Sequence, residues 1–235
     1  MKMWEILKRE LKGYFFSPLA YVLLGFYLLI SGYFFSTFVL STHYAVLSPI
    51  LSSMVTVFMF ISPLLTMRII SEDMKTGTDQ LLLTSPVTVT DIVIGKFFSA
   101  MFVYLVALVI TFLYPIYLKL YSSPDMGSII SGYIGVFLIG ATFISIGLFA
   151  SSLTENQMIA GIIGFALILV LWLISWLGDV FSGKVKTIFQ NLSFFDRLNN
   201  FLNGLVNLSD VVFFISVIIF FIFLTIRVVD KRRWS

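Results

Sequence analysis

Six apolar stretches, each long enough to cross a bilayer, run through this chain near Leu19–Leu40, Ile50–Ile70, Ile92–Leu120, Ile129–Leu153, Met158–Leu177 and Val211–Val229. A spanning helix needs about 20 mostly apolar residues, and lipid offers no partner to an unpaired amide, so each stretch must satisfy its own backbone as a helix. Six such helices use most of the 235 residues. What remains between the last two, about Gly178 to Asp210, is itself rich in Phe and Leu and has no room for a soluble catalytic domain. Composition agrees: 11% of residues are charged, against roughly 25% in a typical soluble domain, and the mean hydropathy is +1.03. The expected fold class is therefore an all-α integral membrane protein. It comprises an interface helix over 1–16 and one six-helix transmembrane domain over 17–235.

Lysine and arginine in short loops set the orientation. With the N-terminus cytoplasmic, that side carries Lys2, Lys8, Arg9, Lys12, Arg68, Lys75, Lys96, Arg227, Lys231, Arg232 and Arg233. The other side has Lys119, Lys184, Lys186 and Arg197. Both ends are expected in the cytoplasm, and the net charge of +3 reflects this topology, with no nucleic-acid partner implied. The run after Pro18 is longer than a signal-peptide core and lacks a small-residue cleavage pattern, so it is expected to remain as the first span. The chain has no cysteine, hence no disulfide framework and no thiolate metal site.

Met3, Trp4, Leu7, Leu11, Tyr14 and Phe15 fall at helical spacing among Lys8, Arg9, Glu10 and Lys12, which predicts an amphipathic helix at the cytoplasmic interface. Trp4, Lys8 and Arg9 at this end, and Arg232, Arg233 and Trp234 at the other, read as headgroup-level anchors. Anchor and docking helix are both open readings for residues 1–16. Thr90 and Asp91 suit the start of the third span, and Pro115 predicts a kink near its outer end. The fourth and fifth spans carry small residues, among them Gly132, Gly135, Gly140, Gly147, Gly161 and Gly164, that favour close helix packing or, as the other reading, line a substrate path. Over 178–208 an alternation of Phe and Leu with Asn, Asp196 and Arg197 predicts short amphipathic helices on the outer side. Asn191 and Asn207 sit in glycosylation triplets of a kind that arises often by chance.

Several chemistries are excluded. The spans are almost free of ionisable groups, which disfavours an ion-coupled carrier or proton pump. His43 is the single histidine, placed in a short outer loop, so neither a nucleophile-and-base pair nor a metal site is expected and no catalytic residue is assigned. No phosphate-cradling glycine loop ending in Lys-Ser or Lys-Thr is present. Any energy from ATP must arrive through another subunit.

One polar insert breaks the pattern, over 71–90 between the second and third spans. Glu72 and Asp73 suit the start of a short helix, Gly77-Thr78 breaks or re-caps it, and Leu81, Leu82 and Leu83 form an apolar knob before Pro86. Such a knob fits a socket on a soluble partner, or a solvated loop whose leucines dip into the membrane.

The run Glu72-Asp73-x-x-x-Gly77-Thr78-x-x-Leu81-Leu82-Leu83-Thr84-Ser85-Pro86-Val87, followed by Asp91-Ile92-Val93-x-Gly95-Lys96-Phe97, resembles the coupling segment of type-2 ATP-binding-cassette (ABC) permeases. That family often has Arg after the Glu, where this chain has Asp73. The stretches Lys8-Arg9-Glu10-Leu11-x-x-Tyr14-Phe15-x-Ser17-Pro18 and Ser151-Ser152-Leu153-Thr154-Glu155-Asn156-Gln157 resemble the gliding-motility permeases within it. The resemblance implies a noncatalytic transmembrane subunit of an exporter or ABC-driven machine in a bacterial cytoplasmic membrane. It implies a partner ATPase that holds ATP and Mg, a second permease copy or a related permease, and room for an extracytoplasmic partner. It also implies that the ATPase touches Glu72, Asp73, Gly77, Thr78 and Leu81 to Leu83, with Glu155 and Asn156 as a second contact. A non-transporting membrane scaffold that gathers partners, or a force-transmitting subunit, is the alternative.

Overall fold

The structure, a computed structural model, describes residues 2–42, 46–84, 87–122, 124–180 and 193–232, and of these the side chains of all but 2, 42, 83, 84 and 176–180. His43, Ser85, Pro86, Lys184, Lys186, Phe189, Asn191, Leu192, Arg233 and Trp234 lie outside the described residues, as does the Leu83 side chain.

Among the described residues the elements are all helical, and six helical stretches are long and apolar enough to cross a membrane. Helix α1 (Lys2–Phe16) precedes the first crossing, α2 (Pro18–Thr42). The second crossing is α3 (Ser48–Thr66), which leads through a short joint into α4 (Ser71–Thr76) and α5 (Thr78–Thr84). The third is split into α6 (Val89–Thr111) and α7 (Leu113–Tyr121). Then come α8 (Met126–Ser152) and α9 (Gln157–Val180), a short helix α10 (Phe194–Leu202), and α11 (Leu208–Arg232).

Helix α8 is the axis of the bundle: 78% of its apolar window is buried, against 17% for α2 and α9 and 11% for α11. Helices α3, α6, α9, α10 and α11 all pack on it. Its small residues make this possible, because lipid supplies no hydrophobic drive and helices must approach closely to gain dispersion contacts. The Tyr104 ring of α6 fills the place where a side chain on Gly140 would stand, the Thr66 side chain of α3 does so at Gly147, and Phe201 of α10 comes within 2.6 Å of a Cβ on Gly135. These glycines seat neighbours from the same chain, which favours packing over lining a substrate path.

Two details depart from the sequence expectation. The cap of α6 is Thr88, two residues before the anticipated Thr90: its backbone is extended, its hydroxyl oxygen accepts from the Asp91 amide at 3.1 Å and its hydroxyl donates to the Asp91 carboxylate at 2.6 Å. Thr90 already lies inside the helix. The third crossing breaks at Phe112 just ahead of Pro115, because proline lacks an amide and its ring crowds the carbonyl four residues back, that of Thr111. The Tyr133 hydroxyl of α8 donates to that carbonyl at 2.8 Å.

Helix α10 buries Phe194, Leu198, Phe201 and Leu202, and its last carbonyls accept from Ser131 of α8 at 2.6 Å and Ser48 of α3 at 2.7 Å. Nearby Asp210 is buried against Arg197 at 2.6 Å and Asn200 at 2.8 Å. At the opposite end Arg232 comes within 3.7 Å of Glu155, and Val229 shares a small recess with Asp73 and Lys96. The end of α11 therefore sits beside the α4–α5 segment, as an even number of crossings requires. We refer to this end of the bundle as the terminal face.

Candidate functional site

At the terminal face the second crossing turns rather than stops. Helix α3 ends at Thr66, the chain turns through 67–70, and α4 starts at Ser71. A break of this kind strands amides that lipid cannot satisfy. Ser151 at the end of α8 answers them: its hydroxyl oxygen accepts from the Ile70 amide at 3.0 Å and the Ser71 amide at 3.1 Å, and the hydroxyl donates to the Met67 carbonyl at 3.0 Å. The Ser71 hydroxyl donates to the same carbonyl. The fourth crossing thereby holds the second at its joint.

Beyond the joint, α4 ends at Gly77 with φ of 72°, a left-handed conformation that costs glycine little. Helix α5 departs from Thr78, whose hydroxyl lies 2.9 Å from that of Thr76. The anticipated short charged helix is thus two helices meeting at an elbow. Nothing lies within 4 Å of where a Cβ on Gly77 would stand, so the demand for glycine is purely conformational. On α5, Leu81 is 73% exposed and Leu82 is half-buried, facing a recess with Ile70 and Ile92.

The acidic pair at the start of α4 splits. Glu72 is half-buried and pairs with Arg68 one turn back at 3.0 Å. Asp73 turns inward, where its Oδ2 meets the Lys96 ammonium of α6 at 2.6 Å and Arg9 of α1 at 3.4 Å. Glu10 of α1 completes the group, its Oε1 at 3.0 Å from Lys96 and 2.7 Å from Arg9. Two cations and two carboxylates from three helices therefore close a ring on shared oxygen atoms. Burial alone would push the Glu10 carboxyl up, but Lys96 and Arg9 outweigh it and hold it below the ordinary carboxylate value. For Arg9 burial works downward, and Glu10 with Asp73 carry the guanidinium above its usual value.

This ring explains how α1 lies. Its stripe of Met3, Ile6, Leu7, Glu10, Leu11 and Tyr14 recurs at helical spacing and faces protein, chiefly α6. Gly95 lets it in, since a Cβ there would stand 3.0 Å from Ile6 and 3.3 Å from the Met3 carbonyl. The Tyr14 hydroxyl donates to the Leu65 carbonyl at 3.1 Å, and burial pushes that phenol up. Trp4 stays 56% exposed with the Lys8 ammonium 5.4 Å from its ring centre. A recess of about 360 Å³ opens between α1, the base of α2 and the joint, lined by charges of both signs including Arg9, Arg68, Glu10 and Glu72.

The second connection has its own geometry. Asn156 caps α9, its side-chain oxygen accepting from the Met158 amide at 2.9 Å, while exposed Glu155 faces Arg232. Sequence reasoning singled out Glu72, Asp73, Gly77, Thr78, Leu81 and Leu82, and these do share one elbow. It missed Glu10, Lys96 and Ser151. A carboxylate in the middle of the apolar stripe of α1 was the available signal for Glu10; Lys96 looked like one more basic residue at a helix start, and Ser151 like one more small residue.

A sequence model described as ABC-2 family transporter protein matches residues 41–229, which takes in the joint, the elbow and Lys96 and leaves α1 outside. No curated protein matches the chain.

Proposed function

This chain belongs to the ABC-2 family of transporter proteins, and from that premise we propose that the α4–α5 elbow is where a separate ATPase subunit grips it. Membership makes the chain the membrane permease component of an ABC system, with ATP hydrolysis in another subunit. The finer reading is an exporter or ABC-driven membrane machine, related to the gliding-motility permeases through the Lys8–Pro18 and Ser151–Gln157 stretches. Two permease copies, or this chain and a related one, pair with two ATPases that hold ATP and Mg. The terminal face is cytoplasmic, because by sequence order eleven of the 15 lysines and arginines belong to that side, and the membrane is the bacterial cytoplasmic membrane. An extracytoplasmic partner would meet the opposite end, near α10.

One observation carries this reading. The elbow presents exposed Leu81 and half-buried Glu72 at its surface, while its root is tied into two crossings, α3 by the chain itself and α8 through Ser151. A push on the elbow enters the bundle at its most buried helix. Thr78, Leu82 and Leu83 belong to the same contact, with Glu155 and Asn156 beside it. Asp73 is turned inward and supports the contact from behind.

Mild-detergent purification of the chain with its ATPase tests the proposal. Gly77→Val should cut ATPase recovery about 5- to 30-fold, because a Cβ disfavours left-handed backbone by about 1–2 kcal/mol, and Leu81→Asp should do the same with the fold intact. Undiminished recovery in both variants would remove the elbow from the interface. Full recovery with no nucleotide-driven change in the bundle would favour a non-transporting scaffold.

A further inference from the structure

Lys96 stands near the start of α6 with its side chain 2% exposed. Its contacts come from three separate pieces of chain: Glu10 of α1 at 3.0 Å, Asp73 of α4 at 2.6 Å, and the Ile69 carbonyl in the joint at 2.5 Å. A buried ammonium has no water to fall back on, so losing a carboxylate partner leaves charge uncompensated. Arg9 makes the arrangement reciprocal, since it approaches the same Glu10 and Asp73 oxygens as Lys96 does.

We infer that Lys96 is a positioning residue that locks α1, the elbow and the start of α6 into one body, so that displacement of the elbow also reaches the first crossing. This rests on the reading of the elbow given above. Without the lock, α4 could swing on its joint and spend the motion there. With it, Asp73 cannot leave without stranding charge, and Glu10 and Lys96 travel along. Helix α1 follows because its apolar stripe is seated on α6 at Gly95. The end of α1 runs through Ser17 directly into α2, and Arg68 of the joint donates to the Ser17 hydroxyl at 3.4 Å. Movement of the elbow thus has two ways into the membrane, one through α3 and one through α1 into α2. On this account α1 is a moving part of the machine.

The chain has no native cysteine, so introduced ones can be spin-labelled cleanly. Lys12→Cys with Lys75→Cys reports the distance from α1 to the elbow; Lys75→Cys with Met158→Cys reports the elbow against α9. Pulsed electron resonance in lipid nanodiscs, with the ATPase bound, compares the nucleotide-free and ATP-vanadate states. The expected result is a first distance that is narrow and identical in both states while the second changes. Lys96→Met should at least double the width of the first distribution, and Lys96→Arg should restore it. An unchanged width in Lys96→Met, at wild-type melting temperature, would overturn the inference. Should Lys96→Met fail to fold, Asp73→Asn, which keeps Lys96 paired with Glu10, must broaden the same distribution. The first distance is also readable without ATPase: failure of the wild type to bind ATPase would sink the elbow reading, while broadening by Lys96→Met in the chain alone would still support the lock.

Discussion

The Tyr133 hydroxyl on α8 donates to the Thr111 carbonyl on α6, the acceptor that Pro115 leaves without its own helical amide. Across the bundle, a side chain from the central helix repairs a break in its neighbour, as Ser151 repairs the joint at the other end of the same helix. Lipid makes both repairs necessary, because an unpaired carbonyl or amide finds no water there.

Tyr133→Phe removes the donor and keeps the ring, which stacks on Phe112 at 4.2 Å between centres. The expected loss is about 1 kcal/mol, near the middle of the range for a buried hydrogen bond and moderated by the membrane reference state. Thermal unfolding in detergent checks it; a change in the α6–α7 bend without loss of stability would count against the account.

Ser151→Ala strands the Ile70 and Ser71 amides in a buried place and should cost about 1–3 kcal/mol. The neighbouring Ser152→Ala is the control, since that hydroxyl donates to Phe149 in its own helix at 2.7 Å. Equal effects from the two substitutions would show that the joint does not need Ser151.

Gly147→Ala drives a methyl group into Thr66 of α3 and should destabilise by about 1–3 kcal/mol. Thr66→Ala removes the hydroxyl that would collide with that methyl but keeps a Cβ at 2.9 Å, so the double variant should regain part of the stability that Gly147→Ala loses. A double-mutant cycle with purely additive effects would contradict the contact.

Stability should depend on Glu10 in acid. Its folded pKa lies below the unfolded one, so its contribution is complete above the unfolded value, about 4.3, and disappears as pH falls through the folded value. The melting temperature of the wild type is expected to drop as pH is taken from neutral to below about 4. Glu10→Gln should melt lower at neutral pH and show a shallower acid drop. Parallel curves for the two proteins would mean that Glu10 carries no such charge linkage.

Much of the architecture was legible in one dimension. Each apolar run became a crossing, Gly77 became a left-handed turn, and of the leucines expected in a knob Leu81 is exposed while Leu82 faces a recess. These outcomes follow from local rules: hydrocarbon thickness sets helix length, and only glycine tolerates that backbone region cheaply. The charged ring was not legible. Glu10, Asp73 and Lys96 are far apart in sequence, and a carboxylate near a lysine in space leaves no mark on local spacing. Asp73 looked like an outward contact because acidic residues at a helix start usually face water; Lys96 on α6 draws it in.

From sequence alone came the crossings, the side on which basic residues gather and the bend in the polar segment, because each depends on a handful of consecutive residues meeting lipid or water. Which helix occupies the centre, which hydroxyl mends which break, and which cation answers which carboxylate were decided by tertiary packing. In a bundle whose surface is as apolar as its core, hydropathy does not distinguish a neighbour from lipid; steric fit at small residues and the demand to pair each buried polar group do.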